Sequence, residues 1–352
     1  MKIQFALLVA SLCLIASAAL ADDAAAPAAG PYQVLRSQVV GGKGGWDYIT
    51  VDSNNRRLYI PRGDHVDVFD ADSLAAVGTI PETTGVHGVA IDPDSGHGFT
   101  SNRGNGKANP PIEPSVTMFD IKTLAVIQKI KVTGGPDGIF FEPTTKHVFV
   151  ESHSDPNITV INAADGAVVG TIDLGGQPEM GASDGNGHVY INLESTSEVV
   201  VVDPAANKVT ARYKLGDGDG PSGMGLDAKN HRIFSCCGNQ KMIVLDADSG
   251  KILATLPIGR RVDAGTFNPD TMEAFSSNGD ATLTVVKEKD ANTFEVEQNV
   301  KTQTGARTCA LDAKTGHIFL VTAQFQPQDP SVHKRPTPIP DTFTILEVGV
   351  GK

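Results

Sequence analysis

Apolar residues in this chain come in short runs of four to seven, each closed by turn-forming residues. The clearest group is Gly138–Phe141, His147–Glu151, Ile158–Ile161 and Val168–Leu174, punctuated by Pro-Thr-Thr-Lys, His-Ser-Asp-Pro-Asn and Ala-Ala-Asp-Gly. Runs this short and rich in Val, Ile and Phe predict β-strands, and the interruptions are turn chemistry. Four such strands over about 40 residues make a sheet that cannot bury both of its faces alone. It has to stack on copies of itself.

The copies are present. Aligned on the innermost strand, seven starts are found: Trp46-Asp47-Tyr48-Ile49, His87-Gly88-Val89-Ala90, Asp137-Gly138-Ile139-Phe140, Glu179-Met180-Gly181-Ala182, Ser222-Gly223-Met224-Gly225, Asp263-Ala264-Gly265-Thr266 and Arg307-Thr308-Cys309-Ala310. Their spacing of roughly 40 to 50 residues is that of propeller blades. The predicted fold is therefore all-β, a seven-bladed β-propeller of four-stranded blades spanning 32–350 as one domain. The last copy lacks a strand, while Tyr32–Val40 precedes the first blade and has none of its own. The N-terminal strand is expected to complete blade seven and close the ring.

Composition adds an address. Met1-Lys2, the apolar run Phe5–Ala18 and the small-residue site Ala19-Leu20-Ala21 have the three parts of a secretory signal peptide over 1–21. Residues 22–31 follow as a flexible tether. No later apolar run has the roughly 20 residues of a spanning helix, so a periplasmic or secreted location is expected. Cleavage would leave three of the 4 cysteines, Cys236, Cys237 and Cys309, an odd number that argues against a disulfide framework. Adjacent Cys236 and Cys237 are expected to be a strained vicinal disulfide or, in preference, a pair of thiols.

The first residue of each innermost strand should point to the mouth of the central tunnel. Around the ring these are Asp47, His87, Asp137, Glu179, Ser222, Asp263 and Arg307. Converging carboxylates are costly unless they are solvated, ion-paired or hold a cation. Asp47, His87, Asp137, Glu179 and Asp263 are thus candidate metal ligands, for calcium through their oxygens or zinc if His87 joins them. The alternative is a hydrated mouth in which the acids pair with Arg307. Trp46, Arg62, Arg103, His153 and Glu194 fall on the same face and complete the candidate ligand-binding set. His97, His147, His188, His231 and His317 recur at one repeat position on the opposite face, so they form no cluster. Two connections on the tunnel-mouth face, 103–114 and 324–340, are long enough to be functional and offer a surface for a protein partner.

Second strands such as Leu58-Tyr59-Ile60-Pro61, Phe99-Thr100-Ser101-Asn102 and Phe275-Ser276-Ser277-Asn278, with third strands such as Val200-Val201-Val202-Asp203, resemble the YVTN-type β-propeller repeat family, the YncE-like exported proteins. No copy spells Tyr-Val-Thr-Asn in full. The resemblance covers almost the whole chain after the leader and implies a scaffold for ligand or partner binding. Fold does not decide function, and two readings stay open. One is a non-catalytic, monomeric binding module for a small polar ligand, a cation or a protein. The other is a metal-dependent, lactonase-like hydrolase using the carboxylate ring, for which no catalytic residue can be named. Single-stranded nucleic-acid binding has precedent among YncE-like propellers, but a net charge of −12 and 6% aromatic residues oppose it.

Overall fold

The computed structural model describes residues 30–327 and 337–351. The expected leader, most of the expected tether and the centre of the second long connection lie outside these residues. Within them the chain forms seven antiparallel sheets of four strands. In blade three the strands are Pro136–Glu142, His147–Ser152, Asn157–Asn162 and Val168–Asp173, in sheet order that follows chain order. The two middle strands are buried along nearly their whole length, whereas the outer strand alternates toward solvent. This gradient is why the inner runs read as continuous Val, Ile and Phe.

The apolar core is a set of seams between blades, not a single centre. Phe149, Ile158, Val160 and Ile172 of blade three pack against Val189, Ile191, Leu193, Val200 and Val202 of blade four. Equivalent clusters occupy the other seams. At the last seam, Trp46 joins Phe319 and Phe343, with ring centroids 5.4 Å from Phe343 and 6.0 Å from Phe325. Trp46 therefore packs between blades one and seven.

Closure is as expected. Tyr32–Val39 pairs antiparallel with Thr344–Val350, and the blade-seven sheet continues through His317–Thr322 to Cys309–Asp312. Tyr32 is further tied to blade six, its backbone N–H donating to Gln298 Oε1 at 3.0 Å. Cys236, Cys237 and Cys309 are all buried and free, so no vicinal disulfide bridges the pair. Burial pushes the Cys237 thiol up to about 11, which makes it inert.

Candidate functional site

One local irregularity builds the tunnel mouth. In blades two to six the pairing of the innermost strand with its neighbour skips at the entry, between Val86 and Gly88, Pro136 and Ile139, Pro178 and Gly181, Pro221 and Gly223, and Val262 and Ala264. Each skip sets two residues against one, which is a β-bulge, and a bulge re-aims the side chain it carries. His87, Asp137, Glu179, Ser222 and Asp263 sit in these bulges. Asp47 and Arg307 lie just ahead of ladders that begin at Thr50 and Cys309.

The side chains form a chain of contacts around most of the ring. Asp263 Oδ2 lies 2.5 Å from Arg307 Nε, and Arg307 Nη2 is 3.6 Å from Asp47. Asp47 Oδ2 is 2.6 Å from His87 Nδ1, which is 3.0 Å from Asp137 Oδ1. Asp137 Oδ2 meets Arg103 and lies 3.4 Å from His153 Nδ1, which is also 3.4 Å from Glu179 Oε2. Ser222 takes no part, since its hydroxyl donates to the Val262 carbonyl at 3.0 Å.

Charge settles unevenly along this arc. Burial alone would lower the pKa of His87, but its hydrogen bonds with Asp137 and Asp47 prevail and hold it at about 9, a cation at neutral pH. Asp137 is buried yet held below the usual carboxylate range by His87, Arg103 and His153. His153 is raised, chiefly by Glu179. Glu194 is raised by burial and by the nearby Glu179, so it lies near that end of the arc.

Two of the expected residues stand apart. Arg62 is folded inward, its guanidinium 3.7 Å from the Phe343 ring centroid and 3.2 Å from Asp67, and only 2% of its side chain is exposed. Asp263 is ion-paired with Arg307 and does not join the imidazole–carboxylate groups. Those groups are two, Asp47–His87–Asp137 and Asp137–His153–Glu179, each with donor atoms within 4.8 Å of one another. Of the repeat histidines on the opposite face, His188 pairs within its turn with Asp184 at 3.0 Å, His97 meets the Ala163 carbonyl of the next blade at 3.0 Å, and His147 Nδ1 is buried without a partner.

Three contributors were not anticipated. Tyr48 donates its hydroxyl to Glu179 Oε1 at 2.7 Å, from blade one to blade four. Burial and then Glu179, Asp263, Asp137 and Asp47 raise its pKa, which places the ring among all four acids. It escapes the strand alternation because blade one's inner strand is only Thr50–Asp52. A bulky aromatic there, where other blades carry Gly88, Gly138 or Gly223, is the signal that could have revealed it. Glu151, in the second strand of blade three, is fully buried with no hydrogen-bond partner on either oxygen. Its counterparts in blades two, five and six are Ser101, Cys236 and Ser277, so a carboxylate is the odd one out. Lastly, a cavity of about 410 Å³ opens beside the ring, lined by Trp46, Phe325, Arg261, Asp263, Arg307 and backbone at Gly279 and Gly305.

The fold recurs among solved structures. The chain superimposes on U3-55K with a TM-score of 0.71, covering 91% of this chain and 99% of that one at 12% identity. The RRP9 WD40 repeats give 0.72, with 92% and 99% covered at 12% identity. At this identity the likeness defines the class of fold, a seven-bladed β-propeller. In sequence, the chain is 29% identical over 160 residues to the uncharacterized protein YncE of Salmonella typhimurium, and 28% identical over 160 residues to YncE of Salmonella typhi. Each match spans 44% of this chain and 44% of the relative. No protein-family profile matches. Among the described residues, no helix is long and apolar enough to cross a membrane.

Proposed function

We infer that the protein is an exported binding module that takes a small polar ligand at the loop-rich mouth of its tunnel. Export rests on the leader read over 1–21. The ligand reading rests on one observation, the cavity of about 410 Å³ between Trp46, Phe325, Arg261 and Arg307, a size usual for small-molecule sites. Its chemistry narrows the ligand to a small organic anion with a flat apolar body. Trp46 and Phe325 offer ring faces, and the exposed residue Arg261, whose Nη2 donates to the Gly279 carbonyl at 2.8 Å, stands beside them. Arg307 is already neutralised by Asp263 and Asp47, leaving Arg261 as the group to receive the anion. Arg261 is held at a left-handed φ of 60°, and Gly85 and Gly220 at the equivalent strand entries of blades two and five are left-handed too.

Thermal melting with benzoate and larger aromatic carboxylates tests this. A rise of a few degrees at saturation, as mass action predicts, should be lost in Arg261→Asn, a residue that tolerates the same φ. No shift across the series would remove the reading. The hydrolase reading has one observation in its favour, that the imidazole–carboxylate groups have the donor set of an ion able to polarise an ester carbonyl. Chelator-sensitive lactone cleavage by the purified chain would carry it; inertness with added zinc would end it.

A further inference from the structure

We propose that Asp47, His87, Asp137, His153 and Glu179 form a centre for two divalent transition-metal ions bridged by the Asp137 carboxylate. It shares no residue with the cavity that lodges the organic ligand, so the two proposals stand or fall separately.

The geometry of Asp137 carries the argument. Its two oxygens face different imidazoles, Oδ1 toward His87 Nδ1 at 3.0 Å and Oδ2 toward His153 Nδ1 at 3.4 Å. The same nitrogen of each imidazole also faces a second carboxylate, Asp47 at 2.6 Å from His87 Nδ1 and Glu179 at 3.4 Å from His153 Nδ1. Donor atoms about 2.0–2.1 Å from one ion stand roughly 3.0–3.4 Å apart at right-angled to tetrahedral geometry. Three of the four separations are at or near that value, and the Asp47–His87 pair has only to open by a few tenths of an ångström. Carboxylate-bridged ions about 3.5–4 Å apart are the usual two-metal arrangement.

A second observation points the same way. Glu151 is fully buried and neither of its oxygens has a partner. Those oxygens lie in the seam between the inner strands of blades three and four. A Cβ on Gly138 would stand 1.8 Å from Oε2, and one on Gly181 would stand 2.8 Å from Oε1. The seam runs directly under Asp137 and Glu179. Glu179 Oε2, the oxygen facing His153, is itself buried without a hydrogen bond. Two buried carboxylates left short of partners beside a third are costly as they stand. Nearby dications would offset that cost.

The two positions differ. The first, at Asp47, His87 and Asp137, is closed in by side chains already in contact. The second is contested, because Arg103, at the base of the long 103–114 loop, places its guanidinium on Asp137 Oδ2. Its Nε has no partner, so its hold is through one edge alone. Mixed nitrogen and oxygen donors, three per ion with Asp137 shared, suit zinc, cobalt or manganese over calcium, which takes six to eight oxygens.

Titration of the chelator-stripped full chain with cobalt(II), followed by visible absorption and by elemental analysis after gel filtration, tests the centre. The expected result is two equivalents in sequence, the second tightened about tenfold in Arg103→Ala because its competitor is gone. His87→Ala should lose the first equivalent and His153→Ala the second, while Asp137→Asn weakens both about a hundredfold. Melting curves of the metal-free variants separate these losses from misfolding, and the two histidine variants keep the test decisive should Asp137→Asn not fold. With manganese(II), a spin-coupled electron paramagnetic resonance signal reports the bridge. A single equivalent, two equivalents without coupling, or calcium binding as tightly as cobalt would each overturn the proposal.

Discussion

The two faces of the propeller use acidic residues in opposite ways. On the face away from the mouth, each innermost strand ends in a side chain that accepts from the backbone N–H two residues on. Asp52 accepts from Asn54 at 3.1 Å, Asp92 from Asp94 at 3.0 Å, Glu142 from Thr144 at 3.0 Å and Ser183 from Gly185 at 3.0 Å. Asp227, Asn268 and Asp312 do the same at 3.0, 3.0 and 3.2 Å. Each of these groups has a partner within its own turn. At the mouth, the equivalent entry residues reach across to other blades, such as His87 with Asp47 or Tyr48 with Glu179. A carboxylate satisfied locally serves folding; one satisfied across a ring is at the disposal of a ligand.

Breaking the turn face should have the largest effect. Asp312 is fully buried and also accepts from Thr315 Oγ1 at 2.6 Å and Arg56 Nη1 at 2.7 Å across the closing seam. Asp312→Ala should lower stability by about 3 kcal/mol in urea unfolding. A loss below a few tenths would erase the distinction between the faces. At the mouth the sign should reverse. Glu151→Met removes a buried carboxylate without partners and should raise stability by about 1–2 kcal/mol, read from the same curves. Tyr48→Phe deletes one bond to Glu179 and should cost about 1 kcal/mol by thermal melting, with the blades intact by circular dichroism. A larger loss would mean that the central tyrosine holds the ring together and is not simply part of its site.

The smallest effects are in pH dependence. Burial would raise the pKa of Asp312, but Arg56, Thr315 and Ser53 prevail and hold it at about 2, against an ordinary 3.8. Its contribution is therefore complete above about 3.8 and is lost as pH falls toward 2. Glu288, buried at the rim of the turn face, is pushed by burial and by Asp227 from 4.5 up to about 7. Its ionisation costs stability as pH rises through that interval. Melting temperatures measured from pH 4.5 to 8 should fall less in Glu288→Gln than in the wild-type chain, and parallel curves would refute this assignment.

The blades were legible because their information is local. Runs of Val, Ile and Phe, turns such as Asp92-Pro93-Asp94-Ser95-Gly96, and the unmatched strand at Tyr32–Val40 are enough to count seven blades and to close the ring. The same alignment also identified Asp47, His87, Asp137, Glu179, Asp263 and Arg307 as ring residues, because equivalent positions in a repeat share one face. It could not assign partners. Nothing in the spacing distinguishes Asp263, which turns to Arg307, from Asp137, which divides its two oxygens between His87 and His153.

The fold, its closure and the face on which the polar side chains gather follow from the order of residues alone, since strand periodicity and turn chemistry act within a few residues of the chain. Tertiary structure alone decided that Arg62 turns inward under Phe343, that Tyr48 crosses to Glu179, and that Glu151 is buried beneath the arc. Those outcomes depend on bulges and on distances between blades, where residues tens of positions apart compete for the same few ångströms of a shared axis.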